Sequence, residues 1–197
     1  NAALAEVVDA IPVTAATSPL PFEFYQTTAA LGRTVLDAGT WTPNIYAAVS
    51  SLGSVSSILT SFYDIVPGTF YTASTLTTTD GTGATDKIAT ASAGLPFVAG
   101  DANANKTIAG WIETPQGIYP INAVTTGAVV HITVPAAYTN EAGVAWSRCK
   151  YLFQISTGTI TTTGVNYTLY ATPTAQILQT LEGGVLDKLG ILVSGVS

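Results

Sequence analysis

Through the middle of this chain, apolar and polar positions alternate over short runs that Gly and Pro cut apart. In "GAVVHITVP" (127–135), Val130, Ile132 and Val134 fall on one face, and Val129, His131 and Thr133 on the other. In "WSRCKYLFQIS" (146–156), Cys149, Tyr151, Phe153 and Ile155 share a predicted core face. Arg148, Lys150 and Gln154 share the opposite one. "TIAGWIETPQGIYPINAV" (107–124) reads as a hairpin around "TPQG", and 68–93 as two strands around "DGTG". Residues 158–173 read as strand, Gly kink, strand. Two stretches, 44–63 and 173–197, mix helical and strand spacing and are assigned to strands.

These runs predict an all-β fold: a jelly-roll-like antiparallel β-sandwich with an extended N-terminal arm. The boundary falls at Pro19-Leu20-Pro21. Residues 1–21 form the arm and its linker, stiffened by Pro19 and Pro21, and 22–197 the sandwich domain. Within "ALAEVVDAIPVTAA" (3–16), Val7, Ile11 and Val13 line one face of an extended strand, with Leu4 and Val8 on the other. Pro12 is tolerable on an edge. Two rival readings stand beside an intermolecular strand: the first strand of the chain's own domain, and a helix, since Leu4, Val8 and Ile11 also fit helical spacing.

Composition narrows the surface chemistry. Charged residues make up 9% of the 197, against roughly 25% in ordinary soluble domains. The polar quota comes instead from 32 Thr and 13 Ser. The six basic residues, Arg33, Lys87, Lys106, Arg148, Lys150 and Lys188, are scattered, and net charge is −6. No basic stripe exists to neutralise phosphates, so nucleic acid is not an expected partner. No apolar run reaches the ~18 residues needed to span a bilayer. The sequence has no Met and opens on Asn1, from which we expect secretion or surface display. With 12 carboxylates, acid has few groups to act on, so tolerance of acid and heat is expected.

Candidate chemistry is sparse. The one His, His131, lacks a nucleophile elbow and reads as a solvated or satisfied strand residue. Cys149, flanked by Arg148 and Lys150, reads as a buried structural thiol because alternation turns its neighbours away. Asp101, Asn103 and Asn105 open like a calcium loop, but Lys106 replaces the Gly and Ile112 the closing Glu. A solvated turn is the better reading, and no metal or cofactor is expected. "DGTGATD" (80–86) offers two carboxylates on a turn. Trp41, Trp111 and Trp146 fit core aromatics better than a sugar-binding face. Two N-glycosylation sequons start at Asn105 and Asn166, about the number that such Ser and Thr content gives by chance.

The Thr-rich, low-charge body and the apolar "NAALAEVVDAIPVTAATSPLPFEF" resemble secreted archaeal filament subunits, the threads and bundling pili. The resemblance implies an extracellular homopolymer of jelly-roll-like subunits, commonly carrying N-linked glycans. In it, the N-terminal strand of one subunit completes the next. Leu4, Val7, Val8, Ile11 and Val13 would be the donor positions, and catalysis would have no part. The long N-terminal helix of a type IV pilin is missing from the pattern. A viral jelly-roll capsid or virion-surface protein is the alternative, and a secreted carbohydrate-binding β-sandwich a third.

Overall fold

The computed structural model describes residues 20–41, 44–47, 57–156, 159–160, 167–170, 174–176 and 179–196. The arm positions Leu4, Val7, Val8, Ile11 and Val13, the linker Pro19 and the sequon Asn166 lie outside the described residues.

The described elements are strands and 3-10 turns. The strands are β1 Leu20–Gln26, β2 Val35–Leu36, β3 Gly39–Trp41, β4 Asn44–Ala47, β5 Ser57–Pro67, β6 Leu76–Gly83, β7 Asp86–Ala91, β8 Trp111–Thr114, β9 Gly117–Thr126, β10 Val129–Thr133, β11 Ser147–Ser156, β12 Tyr167–Tyr170, β13 Thr174–Gln176, β14 Gln179–Thr180 and β15 Lys188–Val196. Single 3-10 turns occupy Gly68–Phe70, Ala99–Asp101 and Gly184–Leu186. The all-β expectation holds, and both ambiguous stretches supply strands, β4 and β5 from one and β13 to β15 from the other.

Nine strands form one antiparallel sheet in the order β1-β15-β5-β11-β8-β9-β10-β7-β6. The sheet curls over as a sandwich. Its far strand returns to the start of β11, where Leu76 and Val144 exchange backbone bonds of 2.9 and 3.0 Å. Inside the curl, Leu76, Ile112, Ile121, Val130 and Ile132 are wholly out of solvent. Each such side chain contributes about 1.5–3 kcal/mol by burial. Tyr71, Phe97 and Trp146 close this core with ring centroids 5.5–5.8 Å apart. Outside the curl, Tyr63, Ile65, Trp111, Cys149 and Leu192 form a second cluster, against which Phe24 of β1 packs.

The remaining strands pair two by two: β2 with β14, β3 with β13, β4 with β12. Their registers are nearly continuous. Val35 opposes Thr180, Gly39 opposes Gln176 and Trp41 opposes Thr174. Asn44 then opposes Tyr170, one residue out of step.

Two sequence expectations change. Pro21, given to the linker, lies within β1 opposite Ser194, at a register shift between Pro21 and Glu23. A residue without an N–H is accommodated there because β1 is an edge strand and the ladder is already irregular. Phe153 and Ile155 do not share a face with Cys149 and Tyr151. A bulge at Leu152 makes Tyr151 oppose Tyr63 but Phe153 oppose Phe62. Opposed residues point to the same face, and adjacent Phe62 and Tyr63 point to opposite ones, so the extra residue flips everything after it.

Candidate functional site

The largest concentration of ionisable groups lies where β5 and β11 meet the turn before β15. Arg148 and Lys150 share the β5 face that carries Asp64, since Arg148 opposes Val66 and Lys150 opposes Asp64. The predicted polar face is thus an interior one, and Arg148 is only 2% exposed. Arg148 Nη2 donates to Asp101 Oδ1 at 2.8 Å. Its Nη1 donates to both Glu182 oxygens at 3.1 Å. Tyr71 Oη donates to Glu182 Oε1 at 2.7 Å, and Lys150 Nζ lies 3.1 Å from Glu182 Oε2. Burial works against the guanidinium charge, but Asp101, Tyr71 and Glu182 more than offset it. Burial likewise works against the Glu182 charge, yet the Tyr71 hydroxyl, Arg148 and Lys150 hold its carboxyl below the usual range.

Asp64 and Asp187 complete the cluster. Both are fully buried. Asp64 Oδ2 accepts the Glu182 N–H and Asp187 Oδ2 accepts the Gly183 N–H, each at 2.8 Å. The two carboxyls thus accept from adjacent backbone N–H groups of one turn, and each leaves an Oδ1 buried without a partner. Burial pushes both towards the neutral acid. A pair like this in an open cleft could do acid–base chemistry; here neither carboxyl reaches solvent.

A second polar group sits on the outer face of β7, β9 and β10. His131 Nδ1 lies 3.0 and 3.2 Å from the two Asp86 oxygens. Asp86 also accepts the Thr82 N–H and hydroxyl at 2.9 and 3.0 Å. With Thr85, Asn122 and Thr125 these residues line an open recess of ≈ 390 Å³. His131 is therefore a satisfied strand residue, as its alternation implied. Asp80, the other carboxylate of "DGTGATD", pairs with Lys87 at 2.5 Å.

Cys149 is buried, and burial raises its thiol pKa. Trp111 and Trp146 are core residues at 7% and 5% exposure, while Trp41 lies in β3. Segment 101–107 is no solvated loop. Asp101 binds Arg148 and, through Oδ2, the Val98 N–H at 2.9 Å. Asn103 accepts the Asn105 N–H, and Asn105 accepts both the N–H and the hydroxyl of Thr107. Those oxygens are spent on local turns rather than turned towards a common cation. Among the described residues no cluster of three His, Cys, Asp or Glu side chains could hold a metal.

Sequence reasoning missed Asp64, Glu182 and Asp187. One signal was available. In "ILTSFYDIVP" (58–67) a carboxylate stands inside an apolar strand, which in a chain so poor in charge marks a buried, partnered acid.

The surface has its own pattern. Phe70, Leu95, Val98, Val185 and Leu186 are about half or more exposed. All five stand on loops tied together through Tyr71 and Arg148: Tyr71 bonds Glu182, Gly94 packs on Tyr71, and Arg148 bonds Asp101. The turns Gly68–Phe70 and Gly184–Leu186 adjoin the end of β5 and the start of β15. Leu20 lies at the other end of those strands, opposite Gly195, which opposes Ile58. Among the described residues no helix is long and apolar enough to cross a membrane.

Comparison with protein-family models, with curated proteins and with solved structures finds no match for this chain.

Proposed function

We propose that this chain is a structural subunit of an extracellular filament that polymerises head-to-tail through its N-terminal segment, with no catalytic role. One observation carries the reading. Residues 1–19 join the sheet at the Leu20 end of edge strand β1, whereas the exposed apolar loop residues gather around the opposite ends of β5 and β15. From Ile58 to Pro67 these ends stand about 30 Å apart. A contact between two different ends of identical subunits is not used up in a pair, and it propagates as a filament where the rotation between subunits does not close a ring.

Further features support this reading. Leu4, Val7, Val8, Ile11 and Val13 give the segment apolar side chains for a neighbour's pockets. The pairs β2–β14, β3–β13 and β4–β12 are each two strands wide among the described residues, and a two-stranded sheet is marginal without a third strand or a packing partner. Glycans at Asn105 and Asn166, and an extracellular location, belong to the same proposal. Deleting residues 1–18 tests it. A folded domain that forms no fibres by negative-stain microscopy is the expected result. Normal fibres from the deletion overturn the reading, and closed shells from the full chain favour a capsid protein instead.

A further inference from the structure

We propose that Asp64 and Asp187 share one proton, and that this proton latches the 181–187 turn onto β5 and frees it when lost. The geometry demands a proton. Each carboxyl gives its Oδ2 to a backbone N–H of the turn, Glu182 to Asp64 and Gly183 to Asp187. Each keeps an Oδ1 that is shut from solvent and has no protein donor. Two carboxylates have only acceptors to offer one another. Held on adjacent N–H groups, they satisfy those orphan oxygens when one is the neutral acid and donates to the other.

Their surroundings confine them together. Gly183 lies close over Asp187: a Cβ there would fall 2.1 Å from Asp187 Oδ1 and 2.9 Å from Val66. Both carboxyls are held to the turn by its adjacent Glu182 and Gly183 N–H groups. Lys150 of β11 opposes Asp64 and offers a partial counter-charge, but it is bound to Glu182. Glu182, the third acid, is taken up by Arg148 and Tyr71. Lys188 follows Asp187 in β15 and opposes Ile65, on the other face. From the segment after β1, Arg33 pairs with Asp37 at the surface. No remaining cation faces the pair among the described residues.

Burial, with Asp64 as hydrogen-bond partner and neighbouring charge, pushes the Asp187 carboxyl up to about 7. In an open turn it would ionise as a normal Asp, near 3.9. Closing the turn thus takes up a proton between those values, and the closed state weakens as pH rises from about 4 to about 7. The turn holds more than itself. Its backbone bonds Leu31, Gly32 and Thr34, and it carries the exposed Val185 and Leu186. Neutral pH would loosen that apolar end, and acid would set it.

Hydrogen exchange of the full chain, corrected for intrinsic rates, is the test. Opening of amides in 181–189 should rise about tenfold per unit between pH 5 and pH 7 and level off above it. In Asp187→Asn or Asp64→Asn the amide donates permanently, and the slope should vanish. A flat wild-type profile, or an unchanged slope in both variants, overturns the proposal. Should either variant fail to fold, carbon-13 titration of the wild-type carboxyls decides. One of the 12 Asp and Glu carboxyls titrating near neutrality supports the latch, and all of them titrating at ordinary acidic values overturns it.

Discussion

Arg148 Nη2 stands 2.8 Å from Asp101 Oδ1, and the two side chains are 3% and 5% exposed. Such a pair returns little net stability, because its attraction is largely spent on desolvation. Removing one partner is different, since it strands the other charge in the interior. Arg148 alone balances Asp101 and shares Glu182 with Lys150.

Arg148→Met should therefore destabilise the domain by about 3–5 kcal/mol. The Met side chain fills similar space, so cavity formation is a small part of the loss. Asp101→Asn should cost less, because Arg148 keeps Glu182 as an ion partner, although the amide can accept from only one of Arg148 and the Val98 N–H, which bond different Asp101 oxygens. Chemical denaturation of the three proteins at one pH measures both effects. Equal losses would mean that Asp101 matters by charge alone.

Gly190 anchors the edge strand from which the N-terminal segment departs. A Cβ at this position would meet the Phe24 ring at 2.8 Å and Ile65 Cδ1 at 3.0 Å. Phe24 holds β1 to the second cluster, with ring centroids 5.2 Å from Tyr63 and 5.9 Å from Trp111. Gly190→Ala should displace that ring and cost about 1–3 kcal/mol. Exchange of the β1 amides should rise before that of β5 and β11. Unchanged β1 protection would show that Phe24 has room to yield.

The sequence made the alternating strands legible because one side of each is dry. Val130, Ile132 and Val134 were readable from spacing alone, and their burial agrees. Leu152 was not readable. A bulge leaves no mark in a run of strand-favouring residues, yet it reverses the faces of Phe153 and Ile155. The acid pair was hidden for another reason. Asp64 and Asp187 are 123 positions apart, and only the β5–β15 pairing brings them together. Scarce charge in the sequence concealed that several of the few charges lie inside.

Cys149 should resist alkylation in the native state. Its thiol is fully buried, and burial disfavours the reactive thiolate. Labelling by a small maleimide should track global unfolding across a denaturant series. Fast labelling of folded protein would place the thiol in a region that opens locally.

Stability should peak in mildly acidic solution, and opposing carboxyls explain why. Asp187 has a raised pKa of about 7, so its contribution is complete below about pH 4 and is lost as pH climbs through 7. Asp86, Asp80 and Glu182 have lowered values and work in the opposite sense. Burial opposes ionisation of Asp86, but the Thr82 N–H, His131 and the Thr82 hydroxyl prevail. Asp80 is lowered first by Lys87 and then by Asn140. The contributions of these three are present above the ordinary carboxyl range of about 4 and vanish as pH falls through their depressed values. Asp80 is exposed and counts least. The two trends cross between about pH 4 and pH 6. Thermal melts from pH 2 to pH 9 should give their highest midpoint in that window, with Asp187→Asn lifting the neutral side and leaving the acid side unmoved. A midpoint that rises steadily to pH 8 in the wild type would mean that the depressed carboxyls dominate and that the buried pair has another way to accommodate its charge.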